Sequence, residues 1–393
     1  MSMISRREFI GTAAMAGAAL SGTVNALAAL PDAGPVPIID SHIHLFDNSR
    51  PVFSGYMGSP AYRALSKPSL PSMYSALAKP AGVVGAIVVE SAGFIDDNLW
   101  YLEVCGADPF MVGVSGSLDP ASPDFGRYVT HFHRDPLYRA IRSSRFYNAD
   151  GPGDTGKVTL KPDQVANLKL LAQADLALDT ANPSMNLMQA NVLLADAIPN
   201  LRIIMDHLPS FDPAPDGQKA YEAVVKAMAD HPNIFVKLTE VYHPRLSDNV
   251  IVKDYEPLRA RLEYLFGLFG EDRVIFGTDY PNSYGVATIP EEVELVRRFF
   301  STKPSEVQEK YFWKNSAKVY KWKKRTPDQP SLTWLIYFRS PMRCRSCNRR
   351  NTCESSADSS DDDRVVCHER GGPVGPVGNG EGVRRKMGRP HFG

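Results

Sequence analysis

The sequence predicts one (β/α)8 barrel, a single domain that lies between an N-terminal export segment and a disordered tail. Three observations support this fold: eight short β-rich runs alternate with helical patterns, most runs are apolar throughout, and polar residues gather where the runs end. Continuously apolar strands are expected when helices cover both faces of a parallel sheet. Eight strand–helix units in roughly 290 residues fit the usual barrel of about 250 residues plus insertions. The 393-residue chain is 43% hydrophobic, which excludes a wholly disordered protein.

The N-terminus carries the pattern of a twin-arginine export signal. Arg6 and Arg7 precede an uncharged run of small and apolar residues, 11–30, and residues 26–28 form an A-x-A cleavage pattern. We predict that residues 1–28 are a removable signal peptide and that the enzyme is periplasmic or extracellular. The twin-arginine export machinery is then a partner. A membrane anchor is the alternative, but the run is only mildly hydrophobic, which disfavours stable spanning.

Eight runs form the predicted barrel strands, and with their helices they span residues 36–322. The runs are Ile38–Phe46, Gly85–Ser91, Met111–Leu118, Arg139–Tyr147, Leu176–Ala181, Arg202–Pro209, Ile234–Tyr242 and Arg273–Pro281. Amphipathic helices are predicted between them. In one, Phe125, Val129 and Phe132 recur at i, i+4 and i+7, which places them on one helix face. A doubly wound open sheet is the rival fold, but no G-x-G-x-x-G turn follows the first run.

Polar residues cluster at the carboxyl ends of these runs, where a (β/α)8 barrel carries its chemistry. His42 and His44 lie two residues apart on the first strand, so their side chains face the same side. The sixth run contains His207 near its end, the eighth contains Asp279, and the fourth carries Arg142. Packing does not explain three histidines, an aspartate and an arginine on one rim. We therefore predict a catalytic site there.

The chemistry of this set favours hydrolysis of an activated ester. An aspartate between imidazoles can take a proton from water, and histidines can stabilise the oxyanion that forms. We predict that Asp279 activates water while the three histidines polarise the carbonyl. Arg142, whose guanidinium can grip a carboxylate with two hydrogen bonds, and Ser91 are predicted to anchor a small acidic substrate. His243 and Asn282, on the same rim, are further candidates for substrate contact.

The motifs at these strand ends resemble those of the amidohydrolase-related superfamily. The D-x-H-x-H of residues 40–44, the D-H-L-P of 206–209 and the G-T-D-Y-P of 277–281 carry the resemblance. Residues 87–98 and 312–320 are similar to the second strand and the closing helix of one branch. That branch contains hydrolases of sugar-acid lactones and of 2-pyrone-4,6-dicarboxylate, with metal-dependent aromatic-acid decarboxylases as cousins. The resemblance implies a lactonase-like hydrolase.

The resemblance also bears on metal binding. It implies that His42, His44 and Asp279 hold one divalent ion, zinc or manganese, if a metal is bound, and three protein ligands suffice for a catalytic ion. The fifth run is followed by Asn182, without the histidine of the metal-dependent relatives, and no lysine ends the fourth run to bridge two metals. These departures argue against a binuclear centre. The lactone-hydrolysing relatives need no metal, so the absence of a required cofactor is the other expectation.

Another departure from the family pattern concerns the substrate. Arg142 matches the arginine of the family's G-x-R strand, with Ala140 in place of the glycine, but a second arginine position is occupied by Asn148. This argues against a pyrone dicarboxylate. Two enzymatic functions are favoured: an exported lactone hydrolase and a metal-dependent decarboxylase of an aromatic or unsaturated carboxylic acid. A catalytically silent binding protein is a third, which the complete histidine–aspartate set disfavours.

Residues 326–393 differ from the barrel in composition. They hold four of the five cysteines and ten arginines against one lysine, whereas residues 1–325 hold 17 arginines and 16 lysines. We predict disorder, because so polar and Gly/Pro-rich a segment cannot bury a core. The alternatives are an out-of-frame origin and a zinc module on Cys344, Cys347, Cys353 and Cys367. The zero net charge of the chain argues against a nucleic-acid partner.

Overall fold

Eight parallel strands with helices between them form a nearly closed barrel, as the sequence predicted. The computed structural model describes residues 35–51, 55–151, 156–211, 213, 215–242 and 251–326. The predicted signal peptide, His243 and the predicted tail beyond Thr326 lie outside these residues. None of the helices within these ranges has the length and apolar character that a bilayer-spanning segment needs.

The strands follow one another in chain order around the barrel. They are β1 Ile38–Ile43, β2 Val83–Val89, β3 Met111–Gly116, β4 Tyr138–Arg142, β5 Tyr147–Asp150, β6 Lys157–Leu160, β7 Ala177–Thr180, β8 Ile203–Met205, β9 Ile234–Lys237 and β10 Val274–Ile275. Strands β5 and β6 form a separate antiparallel hairpin, and the other eight pair in parallel. The predicted fourth strand was too long. The regular strand ends at Arg142, the hydroxyl of Ser144 then bonds to the carbonyl of Ala181, and Tyr147 begins the hairpin.

The helices between the strands bury the faces that the sequence marked as apolar. They are α1 Pro60–Arg63, α2 Pro71–Ala78, α3 Ile95–Ala107, α4 Phe125–Phe132, α5 Pro162–Gln173, α6 Met185–Ala197, α7 Gln218–Asp230, α8 Tyr255–Phe269, α9 Ile289–Phe300, α10 Ser305–Glu309 and α11 Asn315–Tyr320. In α4, Phe125, Val129 and Phe132 are all buried. Thr288 and Glu291 start α9 with a reciprocal capping box, which satisfies backbone groups at its first turn.

Strand β10 meets β1 mainly through residues beyond its own end. The N–H of Asp279 donates to the carbonyl of His42 at 2.9 Å, and the N–H of His44 donates to the carbonyl of Tyr280 at 2.7 Å. The predicted eighth strand, Arg273–Pro281, is therefore much shorter as a regular strand. Its second half leaves the extended conformation because Asp279 has a φ of 58°. This departure from strand geometry lies at the predicted catalytic rim.

The barrel interior has an apolar layer next to a polar one. Each strand contributes one side chain to the apolar layer, and α11 adds Val319 and Tyr320; the strand residues are Ile39, Ile87, Val112, Ala140, Ala177, Ile204, Phe235 and Ile275. Two residues further along three of these strands come Asp179, Asp206 and Lys237, all fully buried. Residues two apart on a strand share a face, so these charges lie inside the barrel, one step closer to the carboxyl ends.

Candidate active site

Strand β1 brings two histidines to one point at the rim. The Nε2 atoms of His42 and His44 lie 3.2 Å apart. The first is 3.2 Å and the second 3.1 Å from Oδ1 of Asp279. All three side chains are buried. Their ligand atoms form a compact, nearly equilateral triangle, which the two-residue spacing of the histidines and the closure of the barrel together create.

Three residues at the site have a left-handed backbone conformation. His207, Glu240 and Asp279, each just beyond a barrel strand, have φ values of 57°, 50° and 58°. Such angles are uncommon outside glycine and persist where the surrounding structure holds them. The Nε2 atom of His207 lies 3.7 Å from Oδ1 of Asp279, and its ring centroid is 4.4 Å from that of His42. The four predicted catalytic residues therefore share one centre.

Asp40, the first residue of the D-x-H-x-H motif, supports the site from behind. Its carboxylate accepts hydrogen bonds from the hydroxyls of Tyr74 and Thr278, each at 2.6 Å. It also accepts from the main-chain N–H groups of His42 at 3.0 Å and Thr278 at 3.1 Å. Four bonds satisfy this buried carboxylate and tie β1 to α2 and to the segment that carries Asp279.

A hydrogen bond to strand β2 fixes the tautomer of His44. Its Nδ1 lies 3.0 Å from the carbonyl oxygen of Val89. A carbonyl accepts only, so Nδ1 carries the proton. Burial, followed by the charge of Arg142, lowers the pKa of His44 to about 3, and the ring is neutral. Its Nε2 lone pair therefore faces Asp279 and His42, an arrangement suited to a hydrogen-bond acceptor or a metal ligand.

Asp279 has the environment of a general base. Burial raises its pKa to about 6, against the lowering effect of hydrogen bonds with Glu240 and Asn282. Asn282 Nδ2 donates to Oδ2 of Asp279 at 2.8 Å and to Oε1 of Glu240 at 3.2 Å. Asn282, predicted from the sequence as a substrate contact, thus orients the carboxylate that lies beside it.

Arg142 reaches the rim, but two of its nitrogens are already engaged. Its Nε donates to Oε1 of Glu90 at 2.8 Å and its Nη2 donates to the carbonyl oxygen of Glu90 at 2.7 Å. Nη1 alone is without a hydrogen-bond partner among the described residues. The predicted two-bond grip on a substrate carboxylate would therefore require Arg142 to release Glu90. The site presents a partly exposed ion pair, with side chains 17% and 14% exposed, in place of a free cation.

The hydroxyl of Ser91 makes its contacts within the fold, at the end of β2. Its hydroxyl donates to the carbonyl oxygen of Leu45 at 2.8 Å and lies 2.8 Å from the hydroxyl of Tyr101. These contacts join the end of β2 to the segment after β1 and to α3. The hydroxyl is engaged within the fold, and this departs from the substrate-anchoring role predicted for it.

A family model and individual relatives agree with this architecture. The model for amidohydrolases matches residues 39–322, which run from β1 to just beyond α11. The chain belongs to the amidohydrolase family. The resemblance of its motifs is thereby confirmed at the level of the superfamily, and the chain is an enzyme of that superfamily.

Individual proteins are similar to this amidohydrolase at lower identity. L-fucono-1,5-lactonase of Burkholderia ambifaria is 28% identical over 250 residues, which cover 62% of this chain and 80% of that protein. A zinc-bound amidohydrolase structure from Burkholderia multivorans has a TM-score of 0.60 at 18% identity, covering 73% of this chain and 100% of its own. The putative 2-pyrone-4,6-dicarboxylic acid hydrolase of Pseudomonas putida has a TM-score of 0.54 at 16% identity, covering 73% and 98%. The two structures support the fold.

The ligand triangle of this amidohydrolase has dimensions that suit one divalent ion. Tetrahedral ligands about 2.1 Å from an ion lie about 3.4 Å from one another. The triangle of His42, His44 and Asp279 has sides of 3.1 to 3.2 Å. Among the described residues, all three groups of side chains close enough to share an ion overlap at this centre, the other two including His207. The spacing of these donors therefore fits one ion.

Sequence reasoning missed two charged residues of the amidohydrolase site. Lys237 lies inside the barrel with Nζ 3.0 Å from Oδ1 of Asp206 and 3.3 Å from Oδ1 of Asp179. A lysine within the apolar run of β9 was the available signal, because a buried lysine needs paired acceptors. Glu240, which is bonded to Asn282, gave no local signal beyond its position after the seventh strand of the barrel.

Proposed function

We propose that this enzyme hydrolyses a lactone of a sugar acid. One observation carries the proposal: Oδ1 of Asp279 lies 3.2 Å from Nε2 of His42 and 3.1 Å from Nε2 of His44. A buried base beside imidazoles matches what opening an activated ester requires. The similarity to L-fucono-1,5-lactonase, at 28% identity, supports the substrate class.

In the proposed reaction, Asp279 takes a proton from a water molecule as the water oxygen bonds to the lactone carbonyl carbon. The carbonyl oxygen becomes an oxyanion in the tetrahedral intermediate. When this intermediate collapses, the ring C–O bond breaks, and the ring oxygen takes up the proton that Asp279 removed from water and becomes a hydroxyl group. Water and lactone thus give one hydroxy acid. A base whose pKa is about 6 is ionised at neutral pH and is still able to hold the proton in transit.

The three histidines take different parts in this proposal. Imidazole N–H groups of His42 and His207 supply the donors that polarise the carbonyl and stabilise the oxyanion. His44 holds its proton on Nδ1, bonded to Val89, and so accepts at Nε2. It orients its neighbours instead of donating to the carbonyl. The hydrogen bond of His44 therefore separates it from the common role that the sequence assigned to all three.

The Arg142–Glu90 pair suits a hydroxyl-bearing substrate better than a second full negative charge. Glu90 neutralises much of the guanidinium charge at 2.8 Å. Nη1 of Arg142 remains as a donor and the carboxylate of Glu90 as an acceptor, and a sugar hydroxyl uses both. We therefore propose a neutral polyhydroxylated lactone as the substrate, in place of the acidic substrate that the sequence favoured.

The second candidate function is metal-dependent decarboxylation, which the ligand triangle favours. An ion held by His42, His44 and Asp279 would supply Lewis-acid polarisation and would orient a carboxylic-acid substrate. The two functions assign Asp279 different tasks, proton acceptor in the hydrolase and ion ligand in the decarboxylase. Metal content and substrate preference separate them.

A panel of substrates tests the proposal. Purified enzyme is assayed with 1,5- and 1,4-lactones of sugar acids, a carboxylated pyrone and aromatic carboxylic acids, by proton release and by carbon dioxide release. We expect ring opening of neutral sugar lactones above the spontaneous rate, without carbon dioxide. Carbon dioxide release from an aromatic acid, with no lactone opened, would overturn the lactonase and favour the decarboxylase.

A further inference from the structure

Lys237 lies at the centre of a buried polar cluster beneath the histidines. Its Nζ is 3.0 Å from Oδ1 of Asp206, 3.3 Å from Oδ1 of Asp179 and 3.3 Å from Nδ1 of His42. All four side chains are fully buried. The ammonium forms ion pairs with both carboxylates, and a buried carboxylate pair without such a cation is strongly unfavourable.

The charge of this ammonium decides the direction of its contact with His42. An ammonium has three N–H donors and no acceptor. Nδ1 of His42, 3.3 Å away, faces a group that donates and does not accept. His42 must therefore accept at Nδ1. An imidazole that accepts at Nδ1 is neutral, so its single proton lies on Nε2.

We propose that Lys237 is a positioning residue that fixes His42 as the Nε2–H tautomer, which directs a donor into the site and opposes metal binding at His42. The proposal deepens the lactone hydrolysis proposed above and rests on it for its catalytic consequence. The Nε2–H group lies 3.2 Å from both Oδ1 of Asp279 and Nε2 of His44, whose lone pair faces it. A carbonyl oxygen that enters this centre meets that donor.

The two histidines of β1 differ in the way that this assignment requires. A metal-ligating histidine usually donates its other N–H to a carbonyl or carboxylate. His44 does so with Val89 at 3.0 Å. Nδ1 of His42 faces the ammonium instead, and Oδ2 of Asp206 lies 3.7 Å away, beyond hydrogen-bond distance. The geometry of the triangle fits an ion, whereas the hydrogen bonding behind His42 does not favour one.

Helix α11 holds the acceptor side of the cluster in place. The hydroxyl of Tyr320 donates to Oδ1 of Asp179 at 2.5 Å, the same oxygen that contacts Lys237. The ring of Tyr320 lies 5.3 Å from Nζ. The closing helix of the barrel is thus connected through Asp179 and Lys237 to His42.

The tautomer is measured directly by nitrogen NMR. Protein labelled with ring-¹⁵N histidine shows a protonated nitrogen and an unprotonated one for each neutral imidazole, and a His42→Gln variant assigns the His42 signals by their disappearance. We expect Nε2 of His42 to be protonated and Nδ1 unprotonated in the metal-free wild-type enzyme. A protonated Nδ1 at His42 overturns the proposal. The measurement involves no turnover, so a failed lactonase assay leaves it intact.

Zinc affinity provides a second test. If Lys237 had a merely structural role, its loss would not increase the affinity for zinc. In Lys237→Met, Nδ1 of His42 is released to donate to Asp206, and Nε2 gains a lone pair. We expect zinc to bind about tenfold more tightly, because metal binding no longer has to displace that proton. Lys226→Met, which removes an exposed lysine paired with Asp230, is the matched control and should bind zinc as the wild type does.

A charge-matched variant separates the tautomer from simple electrostatics. Lys237→Met with Asp206→Asn removes one positive and one negative charge, and the asparagine oxygen still accepts from His42. Tighter zinc binding in both the single and the double variant supports the proposal. A gain confined to the single variant, or no gain in either folded protein, overturns it. If neither variant folds, the wild-type NMR measurement still decides.

Discussion

The main-chain N–H of Asp279 donates to the carbonyl oxygen of His42 at 2.9 Å, and the same two residues meet through their side chains at 3.2 Å. The bond that closes the barrel is therefore also the bond that sets the distance between the base and its neighbouring imidazole. Two residues far apart in the sequence thereby acquire a fixed geometry. Preorganisation of this kind supports catalysis because little rearrangement is needed during the reaction.

Replacing the base tests the central role directly. Asp279→Asn keeps the size of the side chain but removes the proton acceptor, so we expect kcat/KM for lactone hydrolysis to fall about 10²- to 10⁴-fold. Asp163→Asn, on the exposed start of α5, is the control and should leave the rate unchanged. An Asp279→Asn protein that is correctly folded and keeps most of its lactonase activity would contradict the mechanism.

The rate should depend on the ionisation of the same carboxyl group. Burial raises the pKa of Asp279 to about 6, so we expect kcat/KM to be level above this pH and to fall about tenfold per unit well below it. For a carboxyl whose folded-state pKa is raised, the contribution to stability is present at low pH and is lost as the pH rises through about 6. Protonation of Asp279 therefore does not itself unfold the enzyme. A rate that is constant from pH 5 to pH 7.5 would argue against Asp279 as the base.

Much of the fold follows from local patterns in the sequence. Apolar runs and helical stripes predict elements whose burial is decided by neighbours in sequence, as with Phe125 and Phe132 on α4. Tyr147 was misplaced because a strand can continue in a new sheet without a change in composition. The eighth barrel strand was predicted too long, because the left-handed backbone of Asp279 is imposed by contacts with β1.

The site divides in a similar way between what the sequence predicts and what only the structure places. The spacing of His42 and His44 and their strand-end position were sufficient to predict that they share a face. The ion pair of Arg142 with Glu90 could not be predicted in this way. Both residues are polar groups at strand ends, and their partners depend on the register of the barrel strands. Lys237 escaped prediction for the same reason, since its acceptors come from three other strands.

The ion pair of Arg142 and Glu90 should determine whether the enzyme prefers neutral or carboxylated lactones. In Glu90→Gln the guanidinium of Arg142 is no longer neutralised, so we expect KM to rise for neutral sugar lactones and to fall for carboxylated ones. A charged hydrogen bond is worth about 1.5–3 kcal/mol, or roughly tenfold to a hundredfold in KM. The control Glu103→Gln, at an exposed position, should leave KM unchanged for both classes of lactone. An equal loss of activity on both classes of lactone would indicate a structural defect instead of a change in specificity.

Export is predicted from residues that the structure does not describe. We propose that Arg6 and Arg7 direct the enzyme through the twin-arginine machinery and that residues 1–28 are then removed. Conversion of both arginines to lysine should retain the full-length precursor inside the cell, as cell fractionation and intact-mass measurement would show. Unchanged export of the double-lysine variant, or a secreted mass that still includes residues 1–28, would contradict this. The same mass shows whether residues 326–393 are part of the exported protein.

Metal removal distinguishes the two candidate functions. If Asp279 serves as the base, dialysis against a chelator should leave lactone hydrolysis intact. Added zinc should inhibit, because an ion in the triangle would displace the Nε2 proton of His42 and occupy Oδ1 of Asp279. His44→Ala, which removes one ligand of the triangle, should weaken the inhibition by zinc. The decisive measurement is activity against bound metal, determined on the same samples by elemental analysis. Loss of activity on chelation and its recovery at one equivalent of zinc or manganese would contradict the metal-independent mechanism and assign His42, His44 and Asp279 to the ion.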